Sequence, residues 1–405
     1  MSIEVRTATG VVRGRLDDGI AVFRGIPYAQ PPSGRLRFRA PIRAEAWDGV
    51  RDATAFRPAP PQPPGVVAAP PEVSIDDYLT VNVWTPDPGA SALPVMVWVR
   101  GGGFVAGASA GPSCDPETLC RDGGVVVVSM DYRTGTEGFA MIEGAPVNRG
   151  LLDLVLGLHW VRDNAVRFGG DPDRVTLYGQ WAGAGCVMSL VSMPATDGLF
   201  RRVIAGSVPN LYFTPELAGL TSAAIARAAG RANTRDDLAR CAPDELVAAL
   251  GAVTARAGEH AERWGPVAAA GCLLGPVVDG DTLPADPWTA VSSVRTGRLP
   301  LLLGQARDES DWLFRMPTLR LAEAHAGPTH LYELATPEPG DDLRKRWARF
   351  ARTGDPGWPM FEAAGRTAQV FEEPLPAPGP CPERADWAGH VFGPHRPVTR
   401  TAAAR

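Results

Sequence analysis

Three short segments hold the residues with the most capacity for chemistry. Gly179-Gln180-Trp181-Ala182-Gly183 lies between an apolar run and a helix-like stretch. It reads as a sharp strand-to-helix turn, with glycines on both sides of a strained position because a Cβ there would crowd it. The central residue is tryptophan, whose indole offers a weak N–H donor and no nucleophilic lone pair at neutral pH. Gly101-Gly102-Gly103-Phe104 closes a buried run in a glycine turn, and Arg307-Asp308-Glu309-Ser310 closes another in an acidic one. Cys186, Ser189 and Ser207 are the nearby groups that could serve as nucleophiles, but Cys186 and Ser207 read as ordinary buried or strand-end residues with no evident base. His325, His330, His390 and His395 are the imidazoles on the C-terminal side. The cysteines at 114, 120, 186, 241, 272 and 381 form no CxxC pair and have no histidine at zinc-ligand spacing. The expectation is free thiols in a reducing compartment, with no metal and no cofactor; a Cys114–Cys120 bridge is the alternative.

These segments need a scaffold, and the hydrophobic pattern supplies one. The first thirty residues alternate apolar runs with turn signals, predicting a small antiparallel hairpin and a proline-pinned loop. Residues 57–71 are rich in Pro and Ala and predict an extended surface loop. DDYLTVNVWTP alternates as a strand does, whereas LPVMVWVRGGGF, VVVVSMDYR and LPLLLGQA read as buried strands. A helix is predicted over 151–168, several amphipathic helices over 217–263, and another at DDLRKRWARFARTG. Strands alternating with helices argue for an α/β protein with a mostly parallel, twisted sheet covered on both faces. The chain is expected to form a single domain over 1–405, with a loosely ordered Pro/Ala/Arg tail from about 375 to 405.

Of the 405 residues, 45% are hydrophobic and 21% charged, enough to bury a large core. A net charge of −5, with no basic stripe interleaved with aromatics, argues against a nucleic-acid partner. The N-terminal segment has no basic region followed by an apolar one, and the apolar runs are too short to cross a bilayer. A cytoplasmic location without membrane contact is therefore the expectation; the oligomeric state is left open.

Several long motifs in order resemble the type-B carboxylesterases, the cholinesterase-like branch of the α/β hydrolases. They are FRGIPYAQPPSGRLRF, DDYLTVNVWTP, GGGFVAG, HWVRDNAVRFGGDPDRVTLYG, PVVDGDTLP, GQARDESDWLF and FARTGDP. The resemblance implies an α/β-hydrolase fold and acyl-transfer chemistry by serine, histidine and a carboxylate, with backbone N–H groups around the oxyanion. By that match Trp181 stands where the family has serine, and Gln180 where it has glutamate. Glu309 takes the place of the histidine-orienting carboxylate. Gly102, Gly103 and Ala182 would supply the oxyanion donors, with Phe104 beside them. Arg100, where many members have histidine, would bring a positive charge near the pocket. The family's histidine has no counterpart. Glu309 and Phe350 are only 41 positions apart, so the helical segment that carries it is missing and the cap is reduced. His390 or His395 could re-enter from the tail only by folding back.

Three functions follow. The first is a non-hydrolytic enzyme, a cyclase, isomerase, dehydratase or cycloaddition catalyst. It would use the glycine run to polarise an apolar, unsaturated carbonyl substrate, with the Trp181 face shaping the site. The second is an inactive small-molecule binder or scaffold. The third is an ester hydrolase with a nucleophile displaced to Cys186, Ser189 or Ser207.

Overall fold

The computed structural model describes residues 1–65, 77–110, 115–293, 296–335, 340–362, 367–371, 379–380 and 390–398. Its centre is one sheet. The strands are β1 (Ser2–Arg6), β2 (Val11–Asp17), β3 (Ile20–Pro27), β4 (Val50–Asp52), β5 (Thr80–Thr85), β6 (Leu93–Val99) and β7 (Val126–Met130). They continue with β8 (Gly170–Gln180), β9 (Arg202–Gly206), β10 (Leu301–Ala306), β11 (Thr329–Leu334), β12 (Thr367–Phe371) and β13 (Gly379–Pro380). The spatial order is β1-β2-β3-β5-β7-β6-β8-β9-β10-β11-β12-β13, with β4 beside β2. From β7 through β12 every neighbour is parallel. β1, β2 and β3 are antiparallel and join the sheet where β3 pairs with β5, while β4 runs parallel to β2. The predicted hairpin is therefore the edge of the main sheet, not a separate unit.

Helices fill the crossovers: α1 (Pro116–Gly123), α2 (Gly135–Phe139), α3 (Arg149–Asn164), α4 (Ala182–Ser192), α5 (Pro215–Ala228), α6 (Arg235–Leu238) and α7 (Pro243–Ala255). Two apolar clusters show why both faces are covered. On β6, Val95, Val97 and Val99 enter one cluster, whereas Met96 and Trp98 enter the other with Tyr178, Trp347 and Phe350. Successive strand residues point to opposite faces, so a strand buried on both sides reads as a continuous apolar run. The mostly parallel sheet with helices is the architecture expected of an α/β hydrolase.

The helix predicted over 151–168 forms as α3 followed by a single 3-10 turn, Ala165–Phe168. The helix Asp341–Thr353 ends at Gly354, whose φ of 81° provides the left-handed C-cap. One expectation is corrected. Residues 390–398 are not loose: His395 N–H donates to Tyr212 O, Thr214 N–H to His395 O and Val398 N–H to Arg263 O, and Phe392 is buried. Composition suggested disorder because it does not register backbone pairing with a distant segment. Residues 66–71 of the Pro/Ala loop, 375–378, 381–389 and 399–405 of the tail, and Cys114 and Cys381 lie outside the described residues. Among the described residues, no helix is long and apolar enough to cross a membrane.

Candidate functional site

The site assembles at the carboxyl ends of β8, β9 and β10. Register dictates it: Gln180 on β8 sits opposite Gly206 on β9, which sits opposite Gly304 on β10, so the residues that follow emerge side by side. Between β8 and α4 the chain reverses through Trp181, held at φ 50° and ψ −123°. A tryptophan at positive φ is a costly conformation that the surroundings must enforce. Trp181 N–H donates to Gly206 O, and Gly185 N–H to Trp181 O. The flanking glycines have a steric cause. A Cβ on Gly179 would lie 2.5 Å from the Gly183 carbonyl carbon, and one on Gly183 would lie 2.2 Å from Val99 O.

The indole reaches across to the acidic turn. Trp181 Nε1–H donates to Glu309 Oε1 at 2.7 Å, while Ser207 Oγ at 2.7 Å and the Ala306 N–H at 2.9 Å donate to Oε2. Both carboxylate oxygens are thus engaged, and a hydrogen bond to an ionised group is among the stronger kinds. The indole is 36% exposed. Trp181 and Glu309, expected to share one site, are in contact.

The glycine run lies on the other side of the elbow, and a Cβ on Gly101 would come within 3.8 Å of Trp181 Cε3. Gly102 has φ 118°, and a Cβ there would fall 2.1 Å from Ala106 O, so only glycine fits. Gly102 O accepts from the N–H groups of Val105 and Ala106, which fixes the turn. Among the described residues, the N–H groups of Gly102, Gly103 and Ala182 meet no acceptor. For Ala182 this follows from its place in the first helical turn. Of the three, Gly103 borders a cavity of about 450 Å³ that continues to α2, α7 and Leu273. Trp181 is not part of that wall. Its N–H is tied to Glu309, so the ring leans toward β9 and β10, and the expectation that its face shapes the cavity is corrected.

Two further expectations change. Arg100 does not bring a free charge to the pocket. Its guanidinium is buried, bonds Asp131 at 2.7 Å, and donates to Ala106 O and Tyr132 O. It fastens the glycine turn from behind. Phe104 is fully buried and packs edge-on against Phe139, so its ring belongs to the core.

The other candidates are occupied elsewhere. Cys186 is buried, and burial pushes its thiol up to about 12, which leaves no thiolate to attack. Ser189 Oγ donates to Gly185 O within α4. Ser207 does reach the site, as a donor to Glu309. His325 lies between Thr329 Oγ1 and Thr296 O, and His330 packs between Phe350 and Trp358. His395 Nε2 bonds Asn210 O, and His390 is exposed beside Phe392. Burial lowers the pKa of His325, His330 and His395. Among the described residues no imidazole bonds Glu309. Sequence reasoning missed Thr134, Thr136 and Glu137 in the cavity wall. The available signal was the polar run TGTEG directly after a buried strand.

An open α/β sheet with a strained elbow at a strand's carboxyl end, facing a glycine turn, defines the α/β hydrolases as a class. The chain belongs to the Carboxylesterase family, whose profile matches residues 1–335. It is 38% identical over 322 residues to a para-nitrobenzyl esterase of Bacillus subtilis, covering 77% of this chain and 64% of that protein. It is 36% identical over 318 residues to a phenmedipham hydrolase of Pseudarthrobacter oxydans, covering 76% and 62%. The chain thus spans less than two thirds of the length of these relatives. A carboxylesterase structure from Geobacillus stearothermophilus superposes with a TM-score of 0.80 at 29% identity, over 91% of this chain and 96% of that one.

Proposed function

We propose that this carboxylesterase-family protein does not hydrolyse esters through an acyl-enzyme. Instead, the amides of Gly102, Gly103 and Ala182 hold the oxygen of a small, apolar carbonyl compound. The observation that carries the reading is the Trp181–Glu309 bond. By family resemblance a serine would stand at the elbow, with an imidazole between it and the carboxylate. Here one indole spans that interval, and its N–H makes the bond to the carboxylate that an imidazole N–H would make. Among the described residues no imidazole reaches Glu309, and the one hydroxyl that does, that of Ser207, donates to its other oxygen. The amides of the glycine turn and of Ala182, with Gly103 at the cavity edge, are still suited to polarising a carbonyl, which stabilises an electron-rich transition state without a covalent step. Cycloaddition of an unsaturated carbonyl compound, and cyclisation that moves no proton, need only this; isomerisation or dehydration would also need a proton acceptor, which the substrate or water would supply.

A second reading is binding without conversion. It is favoured by Glu309, whose oxygens already accept three hydrogen bonds, leaving no evident general base. Treatment with a fluorophosphonate and with para-nitrophenyl acetate tests what the two readings share. Neither stoichiometric labelling nor a burst of nitrophenolate is expected. Labelling that maps to a serine, Ser207 above all, would restore hydrolysis as the activity. Product formation from an unsaturated ketone then separates enzyme from binder.

A further inference from the structure

The cavity beside Gly103 contains unused polar groups. Thr134, Thr136 and Glu137 all contribute to its wall, and each residue is more than nine-tenths buried. Thr134 Oγ1, Thr136 Oγ1 and Glu137 Oε2 are buried and have no hydrogen-bond partner among the described residues. Buried polar atoms are almost always paired, so three orphans along one cavity wall point to a partner that enters the cavity. The rest of the wall, including Leu250 and Leu273, is largely apolar.

The geometry leaves these atoms available to a ligand. Both Arg37 bonds to Glu137, from Nε at 2.9 Å and from its second terminal nitrogen at 2.5 Å, go to Oε1. Oε2 takes part in neither bond, so it can accept a further hydrogen bond while the ion pair persists. Each threonine hydroxyl can turn about χ1 with no backbone movement. The surrounding charge decides which donor they receive. Arg37 neutralises Glu137. Behind the wall, the buried Arg149 guanidinium binds the backbone oxygens of Thr136 and Glu137. Burial, and then the nearby Arg133, lower its pKa to about 9, so it stays cationic at neutral pH. A second cation placed against Glu137 would meet two positive charges. A neutral hydroxyl can donate to the carboxylate and accept from a threonine with no such penalty.

We infer that the cavity between Gly103 and Glu137 selects ligands that carry a neutral hydroxyl, alcoholic or phenolic, at the end remote from the carbonyl, with Thr134, Thr136 and Glu137 as the specificity determinants. The inference rests on the carbonyl-binding reading above and adds the second anchoring point. A volume of about 450 Å³ is in the range of ordinary small-molecule pockets.

The test is calorimetric binding of four probes to the full chain: para-hydroxybenzylacetone, benzylacetone, para-ethylphenol, and benzylacetone carrying a para-aminomethyl group. The hydroxylated ketone is expected to bind about tenfold or more tightly than benzylacetone, and more tightly than the cationic analogue. Thr136→Val, which keeps the side-chain shape, should remove several-fold of that preference, read as the ratio of the two ketones' affinities. Glu137→Gln should reduce it as well; if that variant misfolds, the Thr136→Val comparison still decides. Equal binding of the two ketones overturns the hydroxyl subsite and leaves the carbonyl reading intact. Binding of para-ethylphenol as tight as that of the hydroxylated ketone keeps the subsite and overturns the carbonyl reading. A preference for the cationic analogue, or no binding of any probe at its solubility limit, overturns the inference.

Discussion

Replacing Trp181 by phenylalanine isolates the contact on which the site depends. The variant keeps a flat ring and the same strained backbone, so the φ of 50° costs as much before as after. What disappears is the Nε1–H that donates to Glu309 Oε1 at 2.7 Å. A hydrogen bond to a charged group contributes about 1.5–3 kcal/mol, and removing one partner strands the other only where water cannot replace it. With the ring 36% exposed, water can replace part of the bond, which lowers the expected loss to about 1–2 kcal/mol. Unfolding entropy of about 2.1 cal/mol/K per residue converts this to a Tm decrease of about 1–2 °C for a chain of this size. Urea denaturation gives the larger relative signal. A cycle with Glu309→Ala measures the pair directly, because the coupling is read after each single loss is subtracted. Coupling of about 1 kcal/mol supports the contact. Coupling indistinguishable from zero, with Trp181→Phe as stable as the parent, would refute the idea that the indole is fastened to the carboxylate.

Arg100→Met should destabilise the fold by about 3–5 kcal/mol, since it leaves Asp131 buried without its cation. Ketone binding should fall with it, because Ala106 O loses its clamp and the glycine turn loosens; unfolding and titration curves read the two effects. Stability should also fall with acid in a specific window. His325, His330 and His395 have folded pKa values lowered by burial, so below pH about 6.5 the unfolded chain binds protons that the native state resists. Their contribution is fully present above that pH and is lost progressively below it. A Tm-against-pH profile should be flatter between pH 7 and 5 in His325→Gln, and an unchanged slope would contradict the assignment.

Much of this architecture was legible because buried parallel strands announce themselves as apolar runs. The elbow was legible because two close backbone approaches, at Gly179 and Gly183, exclude any Cβ. Glu309 could be placed through its turn, and its partner lies 128 residues away. What could not be read was direction. Arg100 directly precedes the glycine turn in sequence, yet its side chain belongs to Asp131. The reason is register: Val99 pairs with Met130, so the next residues on β6 and β7 emerge as neighbours. Likewise Trp181 leans toward Ser207 and Glu309 and away from the cavity, because β8, β9 and β10 end together. Neither outcome follows from local composition. Residues 390–398 of the tail differ from expectation for a related reason: the backbone of His395 pairs with Tyr212 and Thr214, nearly two hundred positions earlier.

The most direct measurement is infrared difference spectroscopy of carbonyl-labelled benzylacetone bound to the protein. Donation from Gly102, Gly103 and Ala182 should move the C=O stretch to lower frequency than in water. Gly102→Ala, whose Cβ would strike Ala106 O, should abolish both the shift and the binding. A bound ketone whose stretch matches that in an apolar solvent would contradict the account, because its oxygen would then not be held by the amides of the glycine run and the elbow.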